Sequence, residues 1–174
     1  PLRPGLERLP REKACEKLGL DPRRPVVLIL GGSQGAGALN GLEVEAQTLR
    51  ITGRGRTARG TVVLEYLHEM ELAYSAADLA ISRAGALAIA ELALFGLPTV
   101  LVPYPHAAED HQRANARALG DAVWTVEEGE MHRINEIITG LVSGEPDVHN
   151  RGRAFQRFAR PNAAQVIIED LKRL

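Results

Sequence analysis

The sequence predicts an α/β domain built on a mostly parallel sheet, and three observations carry that expectation. The apolar run Val26-Val27-Leu28-Ile29-Leu30 is too short for a core helix and reads as a strand buried on both faces. Strand-like and helix-like segments then alternate along the chain, the pattern of repeated βα units. Two of the strand-like runs end in glycine-bearing turns, Gly31-Gly32-Ser33-Gln34-Gly35-Ala36-Gly37 and Ser82-Arg83-Ala84-Gly85.

Taken in order, residues 1–24 are rich in Pro and Arg and allow a short helix over 11–18, stopped by Gly19 and Pro22. The strand over 26–30 runs into the glycine loop, and a helix should follow that loop. Residues 41–60 fit poorly. A parallel crossover takes about a dozen residues or more, yet Ile51-Thr52-Gly53 is the one strand-like remnant there. Either this region is pruned or residues are missing within 41–60. A strand over 61–64, a helix over 69–77 and a strand over 78–82 come next. The Ala/Leu-rich stretch 86–95 reads as a helix closed by Gly96, with Pro98 blocking continuation. A strand over 99–102, a helix over 109–119, a strand over 122–126 and helices over 131–142, 148–158 and 162–174 complete the pattern. Crossovers should be right-handed. With no repeat and no internal boundary, residues 1–174 read as a single domain.

Composition excludes several classes. The chain has 174 residues, 45% apolar and 25% charged, an ordinary globular balance. Its net charge of −1 offers no electrostatic footprint for nucleic acid, so no nucleic-acid partner is expected. One cysteine, Cys15, excludes an intramolecular disulfide and a cysteine-based zinc site. No apolar run approaches the roughly 20 residues of a membrane span. The charged first residues lack an apolar stretch, so no signal peptide is expected.

Three segments could carry chemistry. In the 31–37 loop, glycines allow close backbone approach, and a following helix would offer free N–H groups to a phosphate. Ser33 could add a hydroxyl. The alternative is a tight strand-to-helix turn, and neither standard nucleotide fingerprint is met. The second segment, Ser82 to Leu87, offers another helix start at the same carboxyl edge, where ligands of open α/β sheets collect. Two such turns facing one crevice would suit a diphosphate. Glu91, inside an apolar run, could accept hydrogen bonds from a ribose diol or could simply face solvent. The third segment runs from Pro103-Tyr104-Pro105-His106 through Asp110, His111 and Gln112 to Asn115. Its donors and acceptors suit sugar hydroxyls; solvated loop residues are the plainer reading. A metal on His106, Asp110 and His111 is disfavoured because no helical i, i+4 His pair exists. Arg54, Arg56 and Arg59 read as a solvated basic loop.

The strings GGSQGAGALN (31–40), ADLAISRAGALAIAELALFGLPTVLVPYPH (77–106) and DHQRANARAL (110–119), in this order, resemble one family. They are similar to the membrane-associated N-acetylglucosaminyltransferases of bacterial peptidoglycan synthesis, which convert lipid I to lipid II. The resemblance implies one Rossmann-like, three-layer half of a GT-B fold: the C-terminal nucleotide-sugar-binding domain, without the N-terminal acceptor domain. It implies UDP-GlcNAc as donor, with no cofactor and no metal. Ser33 would contact the phosphate region, and the Leu67 backbone the uracil. Gly85, Ala86, Leu87, Ala88, Ile89 and Ala90 would place a helix N-terminus under the diphosphate. Glu91 would hold the ribose, and Gln112 with His111 the sugar. Arg3 matches a linker arginine. Relatives carry Ser or Thr where this chain has Ala88 and Ala90, and longer connections in the region 41–60. Lipid I, peripheral attachment to the cytoplasmic face of the membrane and the general base would belong to the missing domain, so this chain alone should be inactive. Other readings are the donor-binding subunit of a related lipid-linked GlcNAc transferase, a glycolipid synthase, a nucleotide-sugar epimerase or a binding-only nucleotide-sugar module. A Rossmann dehydrogenase is disfavoured, because G-x-G-x-x-G and its downstream acidic residue are missing.

Overall fold

The computed structural model describes residues 5–31, 37–105 and 110–172. Six strands form one sheet: β1 (Val26–Leu30), β2 (Gln47–Ile51), β3 (Val62–Leu64), β4 (Leu79–Ser82), β5 (Thr99–Leu101) and β6 (Trp124–Thr125). Their spatial order is β3-β2-β1-β4-β5-β6, and every neighbouring pair is parallel. This is the doubly wound order in which the chain starts in the middle, builds outward one way and then returns to build the other way.

The helices are α1 (Arg11–Leu18), α2 (Gly37–Asn40), α3 (Met70–Ala76), α4 (Ala86–Leu94), α5 (His111–Leu119), α6 (Arg133–Ser143), α7 (Pro146–Gln156) and α8 (Ala163–Leu171). Alternate residues of the central strands feed two cores, as a sheet covered on both faces requires. Leu28, Leu49 and Ala80 pack with Cys15 of α1, Tyr74 of α3, Leu92 of α4 and Phe155 of α7. Val27, Ile29 and Ile81 pack on the other side with Leu39 and with Ile134 and Ile138 of α6. Burial pushes the Cys15 thiol pKa above its ordinary value.

Residues 41–60 resolve differently from the sequence expectation. The strand there is Gln47–Ile51 rather than a remnant at 51–53. The β2–β3 connection contains no helix, and α2 is a single turn. A cleft of about 570 Å³ opens between these two short connections, lined by Thr48 and Arg50 of β2 and by Arg59. Arg50 is 3% exposed. Its Nη1 donates to the carbonyls of Leu39 at 3.0 Å and Asn40 at 3.4 Å, and its Nη2 to Leu42. The guanidinium thus satisfies carbonyls where α2 ends and the chain cannot continue helically. Among the described residues it has no carboxylate partner, and burial pushes its pKa down.

Candidate functional site

Strand register aligns the carboxyl ends in one row. Leu30 stands beside Ile51 on one side and Ser82 on the other, Ile51 beside Leu64, Ser82 beside Leu101, and Leu101 beside Thr125. The winding reverses between β1 and β4, the point at which open sheets of this kind place their ligand crevice. The two glycine turns singled out in the sequence follow β1 and β4, whose last residues, Leu30 and Ser82, stand side by side.

At the β1 end, Gly31 donates its N–H to the Ile51 carbonyl at 2.8 Å. A Cβ on Gly31 would stand 3.0 Å from the carbonyl oxygens of Ile51 and Thr52, so glycine is what lets the chain turn this close to β2. Ser33 in this loop, Arg3 and His106 lie outside the described residues. The helix expected after the loop is the single turn α2, too short to sum much dipole.

At the β4 end, Gly85 is the N-cap of α4 and no side chain caps the first turn. Ala86 and Leu87 are exposed, and Ala88, Ile89 and Ala90 are half-buried. The first-turn amides of a nine-residue helix thus stand just past the carboxyl end of β4 without an internal helical partner.

Glu91 is 1% exposed, which rules out the solvent-facing alternative. Its Oε2 accepts a hydrogen bond from the Tyr74 hydroxyl at 2.6 Å. The carboxylate is held inward against α3, so a ribose contact requires it to turn outward or the ligand to bury against it. Tyr74 itself carried no sequence signal: it sits on another helix, and no spacing rule connects it to Glu91.

Past β5, the Tyr104 N–H donates to Gln112 Oε1 at 3.0 Å, placing Gln112 against the loop that leaves the sheet. His111 is exposed at the start of α5. Asn115, weighed as a sugar ligand, donates from Nδ2 to the Ala84 carbonyl at 3.0 Å and ties α5 to the turn before α4. Leu67 is half-buried beyond the outermost strand β3, at the same edge but two strands from the crevice. Arg83 belongs to the Ser82–Leu87 segment, where the sequence gives it no role of its own. It is 9% exposed, pairs with Glu128, and bonds the carbonyls of Val102 and Pro103.

Residues 43–167 match the family model of the glycosyltransferase family 28 C-terminal domain. The chain belongs to this family. Among curated relatives is the UDP-N-acetylglucosamine--N-acetylmuramyl-(pentapeptide) pyrophosphoryl-undecaprenol N-acetylglucosamine transferase of Hahella chejuensis. It is 35% identical over 193 residues, an alignment covering 97% of this chain and 53% of the relative. The enzyme of the same name from Chlorobaculum tepidum is 38% identical over 181 residues, covering 91% and 50%. The chain spans about half the length of the curated relatives it matches. The crystal structure of Acinetobacter baumannii MurG superposes with a TM-score of 0.76 at 30% identity, covering 97% of this chain and 55% of that one. The calicheamicin glycosyltransferase CalG4, at 17% identity and a TM-score of 0.62, shares the fold. These neighbours have the GT-B architecture, and the six-stranded sheet is its Rossmann-like unit.

Proposed function

We propose that this family 28 domain binds UDP-GlcNAc as the donor half of an inverting glycosyltransferase that converts lipid I to lipid II. One observation carries the reading: the ends of β1 and β4 are adjacent at the reversal of winding, and the uncapped start of α4 stands there with Glu91 one turn further along the helix. That is an anion site with a carboxylate at about the reach of a nucleoside. The curated relatives named above are, by name, N-acetylglucosamine transferases for an undecaprenol-linked acceptor, and the strings that resemble that family begin or end at β1, β4 and β5.

In this reading the acceptor hydroxyl displaces UDP at the anomeric carbon with inversion. Negative charge then develops on the β-phosphate. Fixed amide dipoles at the start of α4 stabilise that charge without reorganising, and Ser33 adds a donor. Glu91 accepts from the ribose hydroxyls, the Leu67 backbone contacts uracil, and Gln112 with His111 meets the GlcNAc hydroxyls. The general base, the lipid I site and the surface that docks on the cytoplasmic membrane face belong to a second domain. Closure of the two domains completes the site. Among the described residues no helix is long and apolar enough to cross a membrane.

Calorimetric titration with UDP-GlcNAc tests the reading. The wild-type chain binds UDP-GlcNAc weakly and by itself transfers nothing. Glu91→Ala weakens binding about tenfold or more, the loss expected when charge-assisted hydrogen bonds go. Equal affinity of Glu91→Ala and wild type removes the ribose assignment. A preference for NADH over UDP-GlcNAc in thermal shift removes the transferase reading.

A further inference from the structure

We propose that Arg83 is a positioning residue for the sugar end of this site. It fixes the chain that leaves β5 and, through Tyr104, turns the amide of Gln112 so that Gln112 meets the ligand as a hydrogen-bond donor. The inference rests on the nucleotide-sugar reading and adds to it a residue and a direction of hydrogen bonding.

Arg83 is the first residue past β4 and is nearly buried, 9% exposed. A buried guanidinium needs its donors satisfied in fixed directions. Nη1 reaches the carbonyls of Val102 at 3.1 Å and Pro103 at 3.4 Å. Nη2 pairs with Glu128, in the short 3-10 turn after β6. The guanidinium carbon lies 5.2 Å from the centre of the Tyr104 ring. One side chain thus joins the segments that leave β4, β5 and β6, the three strands on one side of the crevice. Tyr104 is the last link, because its N–H donates to Gln112 Oε1 at 3.0 Å. An N–H can only donate, so the Gln112 carbonyl end is turned to Tyr104 and the Nε2 end is left to donate to a ligand. A residue so placed reads an acceptor oxygen, such as a sugar hydroxyl or ring oxygen.

Lysine cannot reproduce the fork. Arg83→Lys keeps the charge and loses the simultaneous hold on two carbonyls and Glu128. The Glu128→Gln variant removes the anchoring charge from a partly exposed position and keeps the fold if Arg83→Lys does not. Gln112→Glu still accepts from the Tyr104 N–H but has no donor. The readout is the ratio of UDP-GlcNAc affinity to UDP affinity in the full chain, with thermal unfolding confirming a folded protein. A purely structural loss weakens both ligands together and leaves the ratio unchanged. We expect the ratio to fall about fivefold or more in all three variants, the effect of one misplaced hydrogen bond, with UDP affinity within about twofold of wild type. An unchanged ratio in Gln112→Glu, or in whichever of Arg83→Lys and Glu128→Gln is folded, overturns the proposal. Wild type that takes neither nucleotide overturns the functional reading before any variant is measured, and the inference falls with it.

Discussion

Glu91 shows what single residues can hide in a sequence. Its neighbours are apolar, and from that alone an exposed carboxylate and a buried one are equally regular. The structure decides through Tyr74, seventeen positions away, whose hydroxyl gives the buried carboxylate a donor. Removing that donor leaves an acidic group in the core, at a cost of about 1–3 kcal/mol. The Tyr74→Phe variant keeps the tilted ring contact with Phe95 at 5.0 Å, so the loss isolates the hydroxyl. Urea unfolding should show a lower midpoint at unchanged slope. No change in midpoint would mean that the Tyr74–Glu91 bond contributes nothing. Arg50 and Gln47 are hidden in the sequence for the same reason. Gln47 sits in β2 with Oε1 accepting from the Asp21 N–H at 2.8 Å and Nε2 donating to the Asp21 carbonyl at 3.0 Å. Polar residues that find such partners can lie in a buried strand, and an apolar count misses them.

At the scale of elements, the apolar runs and the glycine and proline punctuation located the main strands and helices. The strands at 26–30, 79–82 and 99–101 and the helices at 86–94 and 133–143 stand where the pattern placed them, within a residue or two. What failed was β2, whose sequence Gln-Thr-Leu-Arg-Ile is half polar, and the helix after the glycine loop, which ends after one turn. Helix contacts impose limits that sequence reading does not reveal. Gly152 of α7 faces the chain just after α4, where an added Cβ would lie 2.5 Å from the Gly96 carbonyl oxygen and 2.9 Å from Pro98 Cδ. Gly152→Ala should therefore destabilise by about 1–3 kcal/mol, the cost of overpacking, read as a drop in Tm. Gly85→Ala is the contrast: nothing lies within 4 Å of the added Cβ and φ is −75°. Its stability should stay within about 0.5 kcal/mol of wild type. If both variants melt alike, the close approach of α7 to the 96–98 turn is wrong.

For the molecule as a whole, the sheet order sets a gradient of protection. β1 and β4 are central and buried on both faces, while β3 and β6 are edges and short. Hydrogen exchange followed by mass spectrometry should find the amides of β1 and β4 slowest and those of β3 among the fastest of the sheet. Comparable rates in β1 and β3 would contradict this order. The same order puts the reversal of winding between β1 and β4, where open sheets of this kind bind ligands, and the Tyr74 hydroxyl of α3 reaches Glu91 of α4.

By itself the sequence determined the alternation of strand and helix, the two glycine turns and a likeness to a family, because periodicity, turn chemistry and short motifs are local properties of a chain. The tertiary structure alone decided which strands stand side by side, that Glu91 turns inward to Tyr74, and that Arg83 spans three strand ends to set Gln112. Those are contacts between residues far apart in the chain, fixed by burial and by the need of each buried polar atom for a partner. No spacing rule along the sequence encodes them.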